Sequence, residues 1–127
     1  MLNSPKVSIA LATYNGEDYL AEQLESLLIQ DYQNLEIVIS DDCSSDGTWD
    51  ILEKYAKNNN KIRLLPRDFN RGYVKNFART FSECTGTFIS PCDQDDIWHP
   101  NKVRRLVESI ENYDLAYCNS RFCDSLG

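Results

Sequence analysis

The sequence predicts an α/β fold with a mostly parallel sheet and helices on both of its faces. Short apolar runs alternate along the chain with longer segments whose apolar residues recur at helical spacing. The first apolar run is uncharged on both of its alternating sides, which is typical of a central strand covered on both faces. Polar turns follow the apolar runs, as expected where strands give way to helices.

The first half of the chain predicts two strands and two helices. A strand is predicted at residues 6–12, and a helix begins at Glu17 and ends near Gln30. A second strand at residues 35–40 stops at an Asp- and Ser-rich turn, and a second helix follows. The apolar faces of these helices comprise Leu20, Leu24, Leu27 and Leu28, and then Trp49, Leu52, Tyr55 and Ala56.

The second half continues the alternation. Strands are predicted at residues 62–65, 87–90 and 113–118. Between the first two lies a helix that Gly86 is expected to cap, and a fourth helix starts at Pro100. The buried faces of these helices are predicted as Val74, Phe77, Ala78 and Phe81, and as Val103, Leu106, Val107 and Ile110.

Composition limits the class of function. The 127 residues suffice for one domain with its own core. A net charge of −7 argues against a general nucleic-acid binder, which would carry a basic surface. Five cysteines at irregular spacing predict buried thiols in a reducing compartment rather than disulfides or a zinc site. The lack of a leader or a bilayer-spanning segment favours a cytoplasmic location, and attachment to the inner face of the membrane through another segment stays open.

Three polar clusters fall at predicted strand ends, at residues 13–15, 41–42 and 93–96. Because the carboxyl ends of parallel strands share one edge of a sheet, the fold would bring these clusters together where ligands bind. Three Asp within four residues, taken alone, fit a solvated loop as well as a metal site. Their position at a strand end favours the metal site, and hard oxygen ligands suit Mg²⁺ or Mn²⁺.

The acidic cluster predicts a site for a diphosphate. A cation on Asp93 and Asp95 could bridge two phosphate oxygens and stabilise a departing nucleoside diphosphate. Lys75, Arg71 and Arg67 could add positive charge there, although such residues more often form an exposed helix or loop face. The chain has no dinucleotide-binding glycine motif and no P-loop, which argues against those two chemistries.

The two earlier clusters predict a site for a base. Asp41 or Asp42 could accept the imide N–H of uracil or thymine, since a carboxylate is an acceptor only. Tyr14 could lie against the ring, and its alternative role is packing at a loop.

Four motifs, at residues 7–16, 40–48, 70–72 and 93–98, follow one another along the chain. The ordered set resembles the family-2 glycosyltransferases of GT-A fold and spans nearly the whole sequence. The resemblance implies a Rossmann-like, three-layer GT-A fold that stops before the acceptor-binding half. It also implies inverting transfer of a sugar from a UDP- or dTDP-linked donor to a glycan or lipid-linked acceptor in bacterial surface polysaccharide synthesis.

The resemblance also implies site residues. The donor would contact Ala12, Thr13, Tyr14, Asn15, Asp41, Asp42, Arg71, Lys75, Asp93, Gln94 and Asp95. Asp93 and Asp95 match the D-x-D motif that binds Mg²⁺ or Mn²⁺, with Asp95 as the more direct ligand. The sequence at residues 93–98 most resembles that of enzymes that build bacterial surface polysaccharides, several of which are similar to rhamnosyltransferases that use a dTDP-linked donor.

Two departures from the family pattern stand out. Cys43 replaces the usual Gly, so the turn after Asp42 must accept a β-carbon. No motif matches the general base, which is expected beyond Gly127, so we expect donor binding with little transfer by residues 1–127. The alternatives are a non-catalytic nucleotide- and metal-binding module and, less favoured, a receiver-like phosphoryl-transfer domain. Self-association through an exposed apolar face is a further expectation.

Overall fold

Strands and helices alternate strictly in the computed structural model, which describes residues 4–122. The elements in this part of the chain are β1 (Val7–Thr13), α1 (Glu17–Leu28), β2 (Leu35–Asp41), α2 (Thr48–Asn58), β3 (Ile62–Leu64), α3 (Tyr73–Glu83), β4 (Phe88–Cys92) and α4 (Lys102–Ile110). The predicted α/β class is confirmed. None of the described helices has the length and apolar character needed to cross a membrane.

The four described strands form one parallel sheet in the order β3-β2-β1-β4. Thr13 pairs with Asp41, and Leu11 pairs with Cys92, so the carboxyl ends of β1, β2 and β4 meet at one edge. The chain moves outward from β1 through β2 to β3 and then returns to the other side of β1. This reversal between β1 and β4 is where open α/β sheets bind ligands.

The core surrounds β1. All seven residues of this strand are buried, which confirms the predicted central strand. Leu20, Leu24 and Leu27 of α1 are at most 1% exposed and belong to the same apolar cluster as Ile9 and Leu11. Full burial of one such side chain contributes about 1.5–3 kcal/mol, so this contact fixes α1 on the sheet.

The buried face of α3 differs from the predicted one. Val74 is 77% exposed, and Phe77 is the only predicted residue that is buried. Asn76 and Thr80 take the other buried positions. Asn76 can be buried because it donates to the carbonyl of Ser40 at 2.9 Å and accepts from the Ser40 hydroxyl at 2.7 Å. A polar side chain with satisfied hydrogen bonds therefore replaces an apolar one.

The last predicted strand is wrong, because residues 113–118 form no strand. Tyr113, Leu115 and Tyr117 are 72–86% exposed. A sequence of strand-forming residues becomes a strand only when a neighbour supplies backbone hydrogen bonds. Within residues 4–122, no strand pairs with the outer edge of β4.

The elements around the acidic cluster also shift. β4 continues through Cys92, two residues beyond its predicted end, so that Asp93 follows the strand directly. α4 begins at Lys102 rather than Pro100, and Val103 is its fully buried residue. Leu106, Val107 and Ile110, which were predicted to share that inner face, are half-buried.

Glu36 joins three segments at the opposite edge of the sheet. Its carboxylate accepts hydrogen bonds from the Ser8 hydroxyl at 2.6 Å and from the Thr85 amide at 2.8 Å. The Lys6 ammonium lies 3.2 Å from its other oxygen. Burial raises the pKa of Glu36, but the hydrogen bonds from Ser8, Thr85 and Lys6 outweigh it and lower this pKa to about 2.

Gly86 packs against β1 and does not cap α3 as predicted. The helix ends at Glu83 with Cys84 as its C-cap, and the Gly86 amide donates to the Ser8 hydroxyl at 2.8 Å. A β-carbon at Gly86 would lie 2.7 Å from the Ser8 nitrogen and 2.9 Å from the Lys6 carbonyl oxygen. Both atoms are backbone and cannot rotate away, so the close approach requires glycine.

Gly86→Ala should lower the free energy of unfolding by about 1–3 kcal/mol through overpacking, as measured by chemical denaturation. Gly47→Ala is the matched control, because its β-carbon would meet the flexible end of Glu17. Equal losses in the two variants would contradict the explanation.

Glu36→Gln should reduce the dependence of the free energy of unfolding on pH under acidic conditions. Since the folded pKa of Glu36 is below the ordinary value of 4.5, its charge stabilises the fold above pH 4.5. That contribution disappears as the pH falls toward about 2. Urea denaturation between pH 7 and pH 2 should show a smaller acid-induced loss in Glu36→Gln than in the exposed control Glu53→Gln.

Candidate functional site

A cleft of about 460 Å³ opens beyond the carboxyl ends of β1 and β2. Its lining comprises Ala12, Thr13, Tyr14, Asp42, Asn70, Gly72, Tyr73, Asn76 and Gln94. Each of the three predicted strand-end clusters contributes to this lining. The fold thus brings together residues that the sequence separates.

Asp42 is the carboxylate of this cleft. It is 4% exposed, and its two oxygens accept the backbone amides of Arg71 at 2.5 Å and Gly72 at 2.9 Å. The Asn70 side chain also donates to the Asp42 carbonyl at 2.9 Å. Each carboxylate oxygen can accept a second hydrogen bond, so Asp42 both fixes the loop at residues 70–72 and retains acceptor capacity toward the cleft.

Asp41 has a different position. It is 2% exposed and is not among the residues that line the cleft. The Thr13 hydroxyl donates to its Oδ1 at 2.7 Å, and the Ser44 amide donates to its Oδ2 at 2.9 Å. Asp41 therefore ties the end of β1 to the turn that follows β2, and Asp42 is the better placed of the two predicted base contacts.

Asn15 also holds a turn rather than lining the cleft. Its side-chain oxygen accepts a hydrogen bond from the Ser45 backbone amide at 2.8 Å, and the Asn15 backbone amide donates to the Ser44 hydroxyl at 2.8 Å. The Gly16 amide donates to the Thr48 hydroxyl at 2.9 Å. The turns after β1 and β2 are consequently interlocked, which fixes the side of the cleft that Tyr14 forms.

Cys43 occupies the left-handed backbone region, with a φ of 59°. This conformation favours glycine, and a residue with a β-carbon there is strained. The turn after Asp42 therefore accepts the β-carbon of Cys43 in a strained conformation, as the departure from the family pattern implied. Its neighbour Ser44, bonded to Asp41 through both its amide and its hydroxyl, holds this turn in place.

The acidic residues Asp93, Asp95 and Asp96 flank Gln94, but they are not among the residues that line the cleft. The Tyr73 hydroxyl donates to Asp93 Oδ1 at 2.9 Å, and Asp95 has a φ of 75°. Burial, followed by the negative charge of Asp93, raises the pKa of Asp96. Within residues 4–122, no group of three or more His, Cys, Asp or Glu side chains is arranged to hold a metal ion. The protein can offer carboxylate oxygens here, and further ligands would have to come from a bound molecule or water.

Gln94 connects the acidic stretch to the first turn. Its side-chain oxygen accepts the Tyr14 amide at 2.8 Å. The glutamine side chain passes close to Gly16, where a β-carbon would lie 2.7 Å from its terminal carbon. Gln94 therefore sets the distance between the loop after β1 and the loop after β4.

Three buried polar side chains, on α1 or just after it, hold the acidic loop against this helix. Gln23 donates to the Asp93 carbonyl, and the Ser26 hydroxyl accepts the Trp98 amide at 3.1 Å. Gln30, just after α1, donates to the His99 carbonyl at 2.7 Å and accepts the Val103 amide at 3.1 Å. Residues 93–103 are thereby fixed to α1 along one side of that helix.

The three predicted cationic side chains, Arg67, Arg71 and Lys75, do not line the cleft. The Arg71 guanidinium pairs with Asp68 and lies 4.1 Å from the centre of the Phe69 ring. The hydrogen bond from Arg71 lowers the pKa of Asp68. Lys75 is exposed on α3. Arg71 reaches Asp42 through its backbone rather than its side chain.

A second cavity, of about 360 Å³, lies between β4 and α4. Its lining is largely apolar and includes Phe88, Val103, Leu106 and Ile110. None of the predicted strand-end clusters contributes to it. The cleft at residues 12–14 and 42 is therefore the candidate site.

Four of the residues that line the cleft were not among the predicted site residues. Asn70 and Gly72 belong to the motif at residues 70–72, to which no site role was assigned beyond Arg71. Tyr73 and Asn76 both line the cleft from α3, and neither was predicted to take part in a site. The signal was present as the spacing Tyr73, Asn76, Phe77 and Thr80, which fits one side of a helix once polar residues are allowed on it.

Comparison with known families identifies the architecture. The sequence model of a family described as Glycosyl transferase family 2 matches residues 8–125. One similar protein is the Escherichia coli enzyme UDP-Glc:alpha-D-GlcNAc-diphosphoundecaprenol beta-1,3-glucosyltransferase WfaP. This chain is 31% identical to it over 116 residues, which cover 91% of this chain and 45% of WfaP. The chain spans less than half the length of the curated relatives it matches.

Two solved structures share the fold. S. aureus TarS 1-349 in complex with UDP superposes with a TM-score of 0.76 at 31% identity, over 84% of this chain and 32% of that one. Mannosyltransferase PcManGT from Pyrobaculum calidifontis, in complex with GDP-Man and Mn²⁺, gives a TM-score of 0.78 at 25% identity, over 85% and 33%. The predicted GT-A architecture is confirmed.

Gln30→Ala should loosen the acidic loop. It leaves the His99 carbonyl and the Val103 amide without their side-chain partner, and an unsatisfied buried group costs about 1–3 kcal/mol. We expect a stability loss of that size and faster hydrogen exchange at the Val103 amide. Gln33→Ala is the exposed control. Unchanged exchange at Val103 would show that Gln30 does not hold this loop.

Proposed function

The chain belongs to glycosyl transferase family 2, and from this premise we propose that its cleft binds the nucleoside-diphosphate part of a sugar donor. The observation that carries the proposal is Asp42, a buried carboxylate that faces the cleft at the end of β2. Its relative TarS has been crystallised with UDP and with UDP-GlcNAc, which supports a donor of this chemical class.

The base of the donor is uracil or thymine in this proposal. Both rings carry an imide N–H that a carboxylate can accept, whereas cytosine presents an acceptor at the same position. Asp42 already accepts two backbone amides, which hold its carboxylate in one orientation. Tyr14 is 51% exposed beside it and offers an aromatic face to the base.

The diphosphate lies toward Asp93 and Asp95, which would hold Mg²⁺ or Mn²⁺. Two carboxylates suffice for such an ion when substrate phosphates and water complete its coordination, so these residues fit it without a third protein ligand. The PcManGT structure contains Mn²⁺ together with GDP-Man, which supports the assignment. When bound, the ion supplies Lewis-acid stabilisation of the leaving diphosphate.

For the whole protein we propose sugar transfer with inversion to a glycan or lipid-linked acceptor in polysaccharide synthesis. The name of the relative WfaP specifies a diphosphoundecaprenol acceptor, and a lipid-linked acceptor would place the reaction at the inner face of the membrane. The described residues contribute donor recognition in this scheme.

Calorimetry with UDP, dTDP and CDP, with and without Mn²⁺, tests the proposal. A hydrogen bond to a charged group is worth about 1.5–3 kcal/mol, so UDP and dTDP should bind at least about tenfold more tightly than CDP. Equal affinities for UDP and CDP would contradict the role of Asp42.

Two variants separate the base from the diphosphate. Asp42→Asn should reduce the preference for UDP over CDP, and Asp95→Asn should remove the Mn²⁺ dependence while leaving that preference intact. Asn is chosen at Asp95 because it tolerates the left-handed backbone found there. Asp50→Asn, an exposed position on α2, is the control for a lost carboxylate.

A further inference from the structure

Resting on the donor and cation site proposed above, we propose that Tyr73 is a positioning residue that orients Asp93 toward the cation. Tyr73 is the first residue of α3 and lines the cleft. Its hydroxyl donates to Asp93 Oδ1 at 2.9 Å. This hydrogen bond connects the helix after the loop at residues 70–72 to the first residue after β4.

The position of Tyr73 is set from two directions. Asp42 accepts the amides of Arg71 and Gly72, and Gly72 turns the backbone with a φ of 86°, so the start of α3 is fixed at the cleft. The Tyr73 ring meets the Phe77 ring edge-on, with centroids 5.2 Å apart. The hydroxyl is therefore presented to Asp93 although the side chain is largely exposed.

The chemistry suits a cation ligand. Asp93 is exposed and is followed closely by Asp95 and Asp96, whose negative charges oppose any approach of the three carboxylates. A neutral hydroxyl can orient the Asp93 carboxylate without cancelling its charge. A Lys or Arg side chain would cancel that charge. It occupies one acceptor position of Oδ1 and leaves the other oxygen free for an ion.

A second restraint acts on the same residue. Gln23, which is fully buried, donates to the Asp93 carbonyl and fixes its backbone. Gln23 thus holds the main chain and Tyr73 holds the carboxylate. Hydrogen-bond partners of metal-binding carboxylates commonly change metal affinity by 10–100-fold when they are removed.

The test measures Mn²⁺ binding to Tyr73→Phe in the presence of UDP. The EPR signal of free Mn²⁺ reports how much of the ion stays unbound. The variant retains the ring and its contact with Phe77 and loses only the hydroxyl. We expect Mn²⁺ affinity to fall by about 10–100-fold, which is far more than the change in metal-free affinity for UDP, and we expect the thermal midpoint to stay unchanged.

The matched control is Tyr55→Phe. Its hydroxyl donates to Glu25 Oε1 at 2.7 Å. This is also a hydrogen bond from a tyrosine to a carboxylate, but it joins α2 to α1 away from the cleft. Mn²⁺ affinity should be unchanged in this variant.

The outcomes are distinct. If Tyr73→Phe binds Mn²⁺ as the wild type does, Tyr73 does not position Asp93 and the donor proposal stands. If Tyr73→Phe weakens metal-free UDP binding by the same factor as Mn²⁺ binding, Tyr73 acts by shaping the cleft and the inference is overturned. If the wild-type protein binds no Mn²⁺ in the presence of UDP, the cation site and this inference both fail.

Discussion

The parallel pairing of β1 with both β2 and β4 is the constraint on which the rest of the structure depends. Because β1 is hydrogen-bonded on both sides, Thr13, Asp41 and Cys92 end their strands at the same edge of the sheet. Every residue of β1 is buried, so a slip in register would disturb apolar contacts on both faces of the sheet. The loops of the candidate site extend from these three fixed points.

Hydrogen bonds made by the buried side chains of Asp42, Gln23 and Gln30, rather than ion pairs, then hold the loops. Asp42 fixes the segment at residues 70–72, while Gln23 and Gln30 fix the acidic loop. These bonds join side chains to backbone groups that would otherwise be unsatisfied, so their loss is more expensive than that of a surface contact. Within residues 4–122, Asp93 and Asp95 form no ion pair, so their charges are available to a ligand.

The acidic residues beside Gln94 carry surplus negative charge. Asp93, Asp95 and Asp96 lie within four residues of one another, and burial together with the charge of Asp93 raises the pKa of Asp96. The side chains predicted to balance this charge do not line the cleft, since Arg71 pairs with Asp68 and Lys75 is exposed. A cation brought in with a phosphate-bearing ligand would relieve the repulsion, and this supports the cation site in the proposal.

The sequence by itself determined the alternation of strands and helices, the family, and the position of three polar clusters at strand ends. These features are written in local patterns of apolar spacing and turn residues, which need no knowledge of distant contacts. Only the tertiary structure decided which side chains face the cleft. It placed Asp42 there and Asp41 in a turn, turned Asn76 inward on α3, and brought Tyr73 to Asp93. It also left residues 113–118 without a partner strand. Each of these outcomes depends on hydrogen bonds between segments far apart in the chain, and no local pattern specifies such partners.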